Sequence, residues 1–223
     1  MTGETVVEAE KDLIRKRLLK YTRRAFRMLP ELDKPRILDI GCGSGVPTME
    51  LARLSKGQVT GLDIKQPLLD MLTGKIEKAG LSDRVQAINR SIFDMDFADE
   101  SFDVLWSEGS IFVVGFEKGL QEWRRLLKPG GFLVVHDEEG NIPEKLGQVS
   151  SCGYGLLGYF VLDEEKWRRE YYAPLEELIH KIRTKHAGNR RVMAALDAEQ
   201  REVEMVKRNP ERYRSVFFVM KMA

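Results

Sequence analysis

Cysteine, histidine and net charge are what this chain of 223 residues has least of, and each shortage excludes something. Cys42 and Cys152 stand far apart in no metal-ligand spacing, so no disulfide framework or zinc site is expected, and a reduced, cytoplasmic setting follows. His180 and His186 have no third ligand beside them, so they make no metal site. Lys and Arg number 36 against 35 Asp and Glu, a formal net charge of +1. No global field would therefore draw in nucleic acid or an anionic membrane, and either partner would need a local patch. The opening Met-Thr-Gly-Glu-Thr lacks the basic start and apolar run of a signal peptide, and no apolar run is long enough to span a bilayer, so a soluble protein is expected. Internal repeats, low-complexity tracts and Pro/Gly/Ser-rich linkers are missing too. A chain of this length can bury the core of one α/β domain with decorations, residues 1–223, whereas two independent domains would be cramped.

What the chain does have is Arg36-Ile37-Leu38-Asp39-Ile40-Gly41-Cys42-Gly43-Ser44-Gly45, a short apolar strand that ends in an acid and runs into three alternate glycines. Glycines so placed let the backbone turn sharply and let a ligand approach the main chain, and the helix start beyond them offers unpaired N–H groups. Asp63 closes the next strand, Val59-Thr60-Gly61-Leu62-Asp63, where an acid can accept from the two hydroxyls of a ribose. The third glycine decides which nucleotide. A dinucleotide turn reads G-x-G-x-x-G, but the spacing here is G-x-G-x-G followed by Val46-Pro47.

This spacing resembles motif I of the class I S-adenosylmethionine (AdoMet) methyltransferases. The resemblance continues through Gly61-Leu62-Asp63, through Ser101-Phe102-Asp103-Val104-Leu105-Trp106-Ser107-Glu108-Gly109 and through Leu126-Leu127-Lys128-Pro129-Gly130-Gly131, in family order. Within the family, Trp-Ser-Glu-Gly followed by Gly-Phe-Glu-Lys-Gly resembles a prokaryotic small-molecule group, type 11/25-like, often described as similar to quinone-biosynthesis methyltransferases.

The punctuation around these motifs outlines the elements. Ile14, Leu18, Tyr21, Ala25 and Met28 give a helix within residues 1–29, before Pro30. Its other face carries Arg15, Lys16, Arg17, Lys20, Arg23, Arg24 and Arg27, which would meet phosphates or an acidic substrate, or more simply form a solvated surface. Strands are expected at 36–40, 58–63, 85–89, 102–106, 132–136 and 155–162. The first two intervening helices open at Pro47 and Pro67 and close at Gly57 and Gly80, with Leu68, Leu72, Ile76 and Ala79 sharing one face of the second. Phe116, Leu120, Trp123 and Leu127 mark a further helix, Pro129-Gly130-Gly131 a turn, and residues 164–185 and 189–208 two charged helices. Val216-Phe217-Phe218-Val219-Met220, within 213–221, is apolar on both faces, as a strand inside a sheet must be. Alternating strands and helices imply an α/β, Rossmann-like sheet, mostly parallel, with helices on both faces. The resemblance adds the order 3-2-1-4-5-7-6 with the last strand antiparallel, an AdoMet-binding core over 36–138 and a substrate-side strand and helices over 139–212.

The cofactor set implied by the family comprises Asp39, Gly41, Cys42, Gly43, Gly45, Asp63, Ile64, Ser91, Ile92, Phe93 and Ser107, with S-adenosylhomocysteine as product. Asp39 either fixes the turn or reaches the ligand's ammonium. Many relatives carry an acid just after the third strand for the adenine amino group, yet Ser91 stands there; Ser91, the backbone N–H of Ile92 or Phe93, the Phe93 ring and Asp94 remain alternatives. Glu108 is suited to act as base, to hold a cationic substrate or to cap the next helix, and His136 to accept a proton or to serve structurally. Tyr154, Tyr159, Trp167, Tyr171 and Tyr172 line an apolar or cationic pocket or, at the ordinary preference of such residues, pack a core. The expected function is methyl transfer to O, N, S or C of a small molecule by a monomer or homodimer. RNA or protein methylation, and a non-catalytic AdoMet-binding module, are the alternatives.

Overall fold

The computed structural model describes residues 3–223; the first two residues of the expected 1–29 helical segment lie outside them. Its centre is a seven-stranded sheet built from β1 (Arg36–Ile40), β2 (Gln58–Asp63), β3 (Val85–Asn89), β4 (Phe102–Glu108), β5 (Leu127–Glu138), β6 (Tyr154–Leu162) and β7 (Ser215–Met222). The order is β3-β2-β1-β4-β5-β7-β6. β1 lies parallel to β2 and β4, β2 to β3 and β4 to β5, while β7 runs antiparallel to β5. This is the order, with the antiparallel last strand, that the family resemblance implied.

Register fixes which side chains share a face. Asp39 pairs with Gly61 and with Trp106, and Glu108 with His136. Because side chains alternate along a strand, Asp39, Asp63, Glu108 and His136 all project from one face at the carboxyl ends of their strands. The opposite face sends Leu38, Ile40, Leu105, Leu133, Val135 and Phe218 into the main core, where Phe116, Leu120, Trp123 and Val149 meet them. The whole run Val216 to Met220 is buried, as a strand covered on both faces requires.

The helices are α1 (Gly3–Phe26), α2 (Val46–Ser55), α3 (Gln66–Lys78), α4 (Phe116–Trp123), α5 (Ile142–Ser151), α6 (Glu164–Trp167), α7 (Ala173–Lys185) and α8 (Arg190–Arg208). Several boundaries differ from the sequence expectation, each for a local reason. α2 closes on Lys56, whose φ of 53° takes the left-handed cap position. The neighbouring Gly57 is needed instead because a Cβ there would lie 2.0 Å from the Pro35 carbonyl oxygen. α3 buries Leu69, Leu72 and Ile76, with spacing i, i+3, i+7, so Leu68 is only half-buried and Ala79 exposed. Leu127 leaves the α4 stripe to begin β5, and the register slips between the Phe102–Leu127 and Val104–Phe132 pairs, which makes Pro129-Gly130-Gly131 a bulge within a long strand rather than a turn before it. α5 is not expected from the sequence reading. It starts at Asn141, whose side chain accepts from the Glu144 N–H, with Pro143 in the first turn.

The chain divides into two compact units: the segment up to Lys20 with Leu162–Arg214, and Tyr21–Val161 with Ser215–Ala223. The first unit has its own core, including Ile14, Leu175, Ile179, Ile182, Val192 and Leu196. Trp167, Tyr171 and Tyr172 pack against that core, the last two edge-on at 5.0 Å, which answers the packing alternative for these aromatics. Much of the basic face of α1 is neutralised locally: Arg15 by Glu8 at 2.6 Å, Lys20 by Glu170 at 2.6 Å and, in the second unit, Arg23 by Glu50 at 2.6 Å. Lys16, Arg17, Arg24 and Arg27 are exposed.

Candidate functional site

The turn after β1 spends its own amides. Gly41 N–H and Cys42 N–H both donate to the Leu62 carbonyl, at 2.8 and 2.9 Å, and Gly45 N–H donates to the Cys42 carbonyl at 2.9 Å. Gly43 N–H donates to Asp63 Oδ2 at 2.9 Å, while Lys65 N–H binds Oδ1 at 2.8 Å. Asp63 thus braces the turn against the end of β2 and keeps further lone pairs. The three glycines have φ of 74°, 54° and 82°, the left-handed region where a side chain is strained. Their surroundings differ. A Cβ on Gly41 would lie 2.4 Å from Ser110 Cβ and one on Gly45 would lie 2.2 Å from Leu72 Cδ1, whereas nothing lies within 4 Å of one on Gly43. Internal packing therefore dictates the outer glycines, and only Gly43 faces open space. The Cys42 sulfur is buried; burial first, then the Asp39 and Asp63 carboxylates, pushes its pKa up and keeps the thiol protonated.

Asp39 is 1% exposed and accepts from Thr48 Oγ1 at 2.6 Å. Burial raises its pKa to about 7 against that hydrogen bond, with Glu108 and Asp63 pushing the same way. Beyond β2 and β3, Ile64 and Phe93 are 67% and 62% exposed, two large apolar side chains left without cover. Ser91 Oγ accepts from Phe93 N–H at 3.2 Å and so shapes that bend, while Ile92 packs against the main core.

At the end of β4, Trp106 Nε1–H donates to Glu108 Oε1 at 2.8 Å. Burial raises the Glu108 pKa to about 7 in spite of the Trp106 donor. Glu108 therefore does not cap the following turn, which begins at Ser110 with no side-chain cap. Ser107 is fully buried; its hydroxyl meets Ser110 Oγ at 2.7 Å, and Ser110 Oγ donates to the Ile40 carbonyl at 2.6 Å, tying β4 to β1. His136 stacks on Phe217 at 4.3 Å, its Nε2 lies 2.8 Å from Ser215 Oγ, and burial lowers its pKa to about 4, leaving the imidazole neutral.

Residues 38–135, the stretch that carries both the glycine turn and Glu108, match the family model described as Methyltransferase domain. Over this stretch the chain is similar to methyltransferase domains. The chain is 35% identical over 103 residues to sterol 24-C-methyltransferase ERG6B of Gibberella zeae, an alignment covering 46% of this chain and 27% of that protein. It is 29% identical over 151 residues to 27-O-demethylrifamycin SV methyltransferase of Amycolatopsis mediterranei, covering 65% of this chain and 56% of the relative. The matches thus span about a quarter to a half of these relatives' own lengths. In fold, it is similar to a SAM-dependent methyltransferase from Geobacter sulfurreducens solved with S-adenosyl-L-homocysteine, with TM-score 0.72, 19% identity and coverage of 93% of this chain and 90% of that one.

Within this matched stretch, the fold brings Asp39, Gly43, Asp63 and Glu108 to one end of three adjacent strands, with Ile64 and Phe93 on the bends beyond β2 and β3. Ser107 and Cys42 come to the same place but bury their polar atoms inward. Sequence reasoning missed Thr48 and Ser110, small hydroxyl residues beside named motifs, a signal open to inspection. Among the described residues, no helix is long and apolar enough to cross a membrane.

Proposed function

We propose that the chain transfers the methyl group of AdoMet to a small-molecule acceptor. The observation that carries this reading is the glycine turn: its Gly41, Cys42, Gly43 and Gly45 amides are satisfied internally, while Gly43 opens a surface that any Cβ would fill. A loop built for a pyrophosphate leaves its amides to the phosphate oxygens. This one suits a ligand read by shape and by Asp63, with no phosphate to hold. Asp63 has lone pairs for ribose hydroxyls, and the uncovered Ile64 and Phe93 suit the flat apolar faces of an adenine. The residues present therefore fit the cofactor named for the family. Asp39, buried on Thr48, supports the turn-fixing alternative rather than contact with the ligand.

Bound AdoMet supplies an electrophilic methyl group, so the protein's task is alignment, exclusion of water and management of the acceptor's proton. Glu108 is the stronger candidate for that proton, since a carboxyl poised near neutrality both accepts and releases it. His136 is the weaker one, because its Nε2 is engaged by Ser215 and its basicity is low. A single methyltransferase domain over 1–223, with 139–212 serving the acceptor, belongs to the same proposal.

The test incubates the protein with methyl-labelled AdoMet and a metabolite extract, intact or treated beforehand with nuclease or protease. Label in small molecules, unchanged by either treatment, is expected. Loss of the signal after nuclease or protease treatment would transfer the assignment to RNA or protein. AdoMet binding without any transfer would reduce the chain to a binding module.

A further inference from the structure

We infer that β6 is a dimer edge, which pairs antiparallel with β6 of a second copy of this chain. The strand stands at one end of the sheet, with β7 as its neighbour. A free strand edge presents unpaired N–H and C=O groups, and folded proteins blunt such edges with charge, proline or brevity. β6 uses none of these devices: its nine residues, Tyr-Gly-Leu-Leu-Gly-Tyr-Phe-Val-Leu, hold no charged residue and no proline. The opposite edge obeys the rule, since β3 has five residues, carries Gln86 and Asn89, and is flanked by Arg84 and Arg90. Leu156, Leu157 and Tyr159 are 40%, 45% and 44% exposed, and successive side chains alternate, so apolar surface is open on both faces of the β6 edge. Both ends of the strand are nevertheless fixed. Tyr154 O–H donates to the Leu120 carbonyl at 3.1 Å, and Phe160 stacks on Phe217 at 5.0 Å with the Arg24 guanidinium 4.0 Å over its ring.

A lipid surface would leave the edge N–H and C=O groups unsatisfied, and a charged peptide would find no countercharge along the strand. A second copy meets both demands because β6 is complementary to itself. About a two-fold axis at Gly158, antiparallel pairing sets Leu157 opposite Tyr159, Leu156 opposite Phe160 and Gly155 opposite Val161 of the other copy. Aliphatic residues then face aromatic ones, a favourable cross-strand pairing, and no like charges meet. The same register brings Asp163 of one copy, the residue after β6, opposite Gly153 of the other, where Arg124 lies 3.4 Å from the position a Cβ would take. Asp163 also holds Lys166 and Arg124 also donates to the Ala223 carbonyl, but a carboxylate and a guanidinium each have capacity for a further bond. Opposite charges therefore meet at both ends of the pairing. One strand pair is smaller than a standard interface, so the dimer is weak and depends on concentration.

Sedimentation velocity of the full chain over a concentration series tests this. The unaltered chain is expected to be dimeric at roughly 100 μM and to dissociate on dilution. Leu157→Lys and Tyr159→Glu, both at half-exposed positions, should each be monomeric at that concentration, because association weakens roughly tenfold or more for every charge the pairing buries. Mixed together, the two variants should dimerise again, since the register sets the introduced charges opposite each other. Circular dichroism checks that each variant is folded. Hydrogen exchange on the unaltered chain needs no substitution: β6 amides should gain protection as concentration rises, which decides the matter should a variant misfold. A chain that stays monomeric, or a dimer whose β6 amides gain no protection, overturns the inference and leaves the edge to another partner. A dimer that survives Leu157→Lys overturns it too, as do two folded variants that fail to recombine.

Discussion

Replacing Gly43 with alanine separates a ligand surface from a folding requirement more cleanly than any other change in the turn. The backbone there has φ of 54°, so an L-residue costs about 1–2 kcal/mol from its own left-handed conformation. No neighbouring atom adds to that cost, since nothing lies within 4 Å of the new methyl group. For a chain of this size the melting temperature should fall by roughly 2–8 °C. Gly45→Ala is the internal control: its Cβ would lie 2.2 Å from Cδ1 of the fully buried Leu72, adding overpacking to the same strain for a total of roughly 2–5 kcal/mol. The assay is thermal unfolding with and without AdoMet. At a hundredfold excess over its dissociation constant, AdoMet should stabilise the unaltered protein by about 2.7 kcal/mol, or roughly 5–11 °C. Gly43→Ala should remain folded yet lose that shift, because its methyl group occupies the open surface. A Gly43→Ala protein that AdoMet stabilises as well as the original would refute the cradle, and one that melts below Gly45→Ala would refute the claim that Gly43 faces empty space.

Glu108→Gln should keep most of the AdoMet-induced thermal shift, since Gly43 and Asp63 are untouched, but lose roughly 10²- to 10⁴-fold in labelled methyl transfer. In the unaltered protein transfer should rise with pH through about 7, as the carboxyl becomes able to accept a proton, and then level off. The Asp39 pKa, raised to about 7 in the fold, makes the native state bind a proton more tightly than the unfolded chain; this contribution is present at low pH and is lost as pH climbs through 7, by on the order of 4 kcal/mol for a three-unit rise. Asp39→Asn should therefore flatten the decline in stability with pH, measured by urea unfolding across a pH series; an unchanged slope would contradict its burial as an acid. His136, lowered to about 4, acts with the opposite sign: the unfolded chain takes up its proton first, so stability is lost as pH falls from the ordinary imidazole range towards 4. His136→Phe should remove that acid-side loss in the same urea series, and a steeper loss would count against a neutral ring.

The strands were legible because each begins or ends in a feature with one physical meaning. Asp39 followed by alternate glycines, and Asp63 after Val59 to Leu62, mark strand ends that no helix would tolerate. Order was another matter. Nothing in the periodicity of Val216 to Met220 says that it slides between β5 and β6, and the resemblance supplied that. Errors gathered where apolar residues are adjacent and two phases compete. Leu68 and Leu69 each fit a helical stripe, and the half-buried and buried states of the two were decided by the sheet beneath α3. α5 escaped because its stripe is weak, with Val149 its one fully buried residue, although Asn141 and Pro143 spell a helix start. In the site, Gly41, Gly43 and Gly45 read alike from sequence; only the packed fold distinguishes the two that Ser110 and Leu72 crowd from the one left open.

The balance of amides and acids at the end of β2, β1 and β4 also bears on the sign of the ligand's charge. Amides normally make a strand-to-helix turn attractive to anions, yet here those of Gly41, Cys42, Gly43 and Gly45 are consumed by Leu62, Asp63 and Cys42. Against one cation on the turn, Lys75 Nζ donating to the Ser44 carbonyl at 2.6 Å, stand three acids on neighbouring strands, Asp39, Asp63 and Glu108, with Asp39 and Glu108 both pushed up by burial. Such an end repels phosphate and rewards a cation, because a positive ligand lets a reluctant carboxyl ionise. A sulfonium fits that demand; the neutral thioether left after transfer does not. The same charges that favour the methyl donor therefore weaken the hold on its product. A higher affinity for AdoMet than for S-adenosylhomocysteine, widening as pH rises through 7 in a calorimetric titration of each ligand, follows from the acids rather than from the glycines.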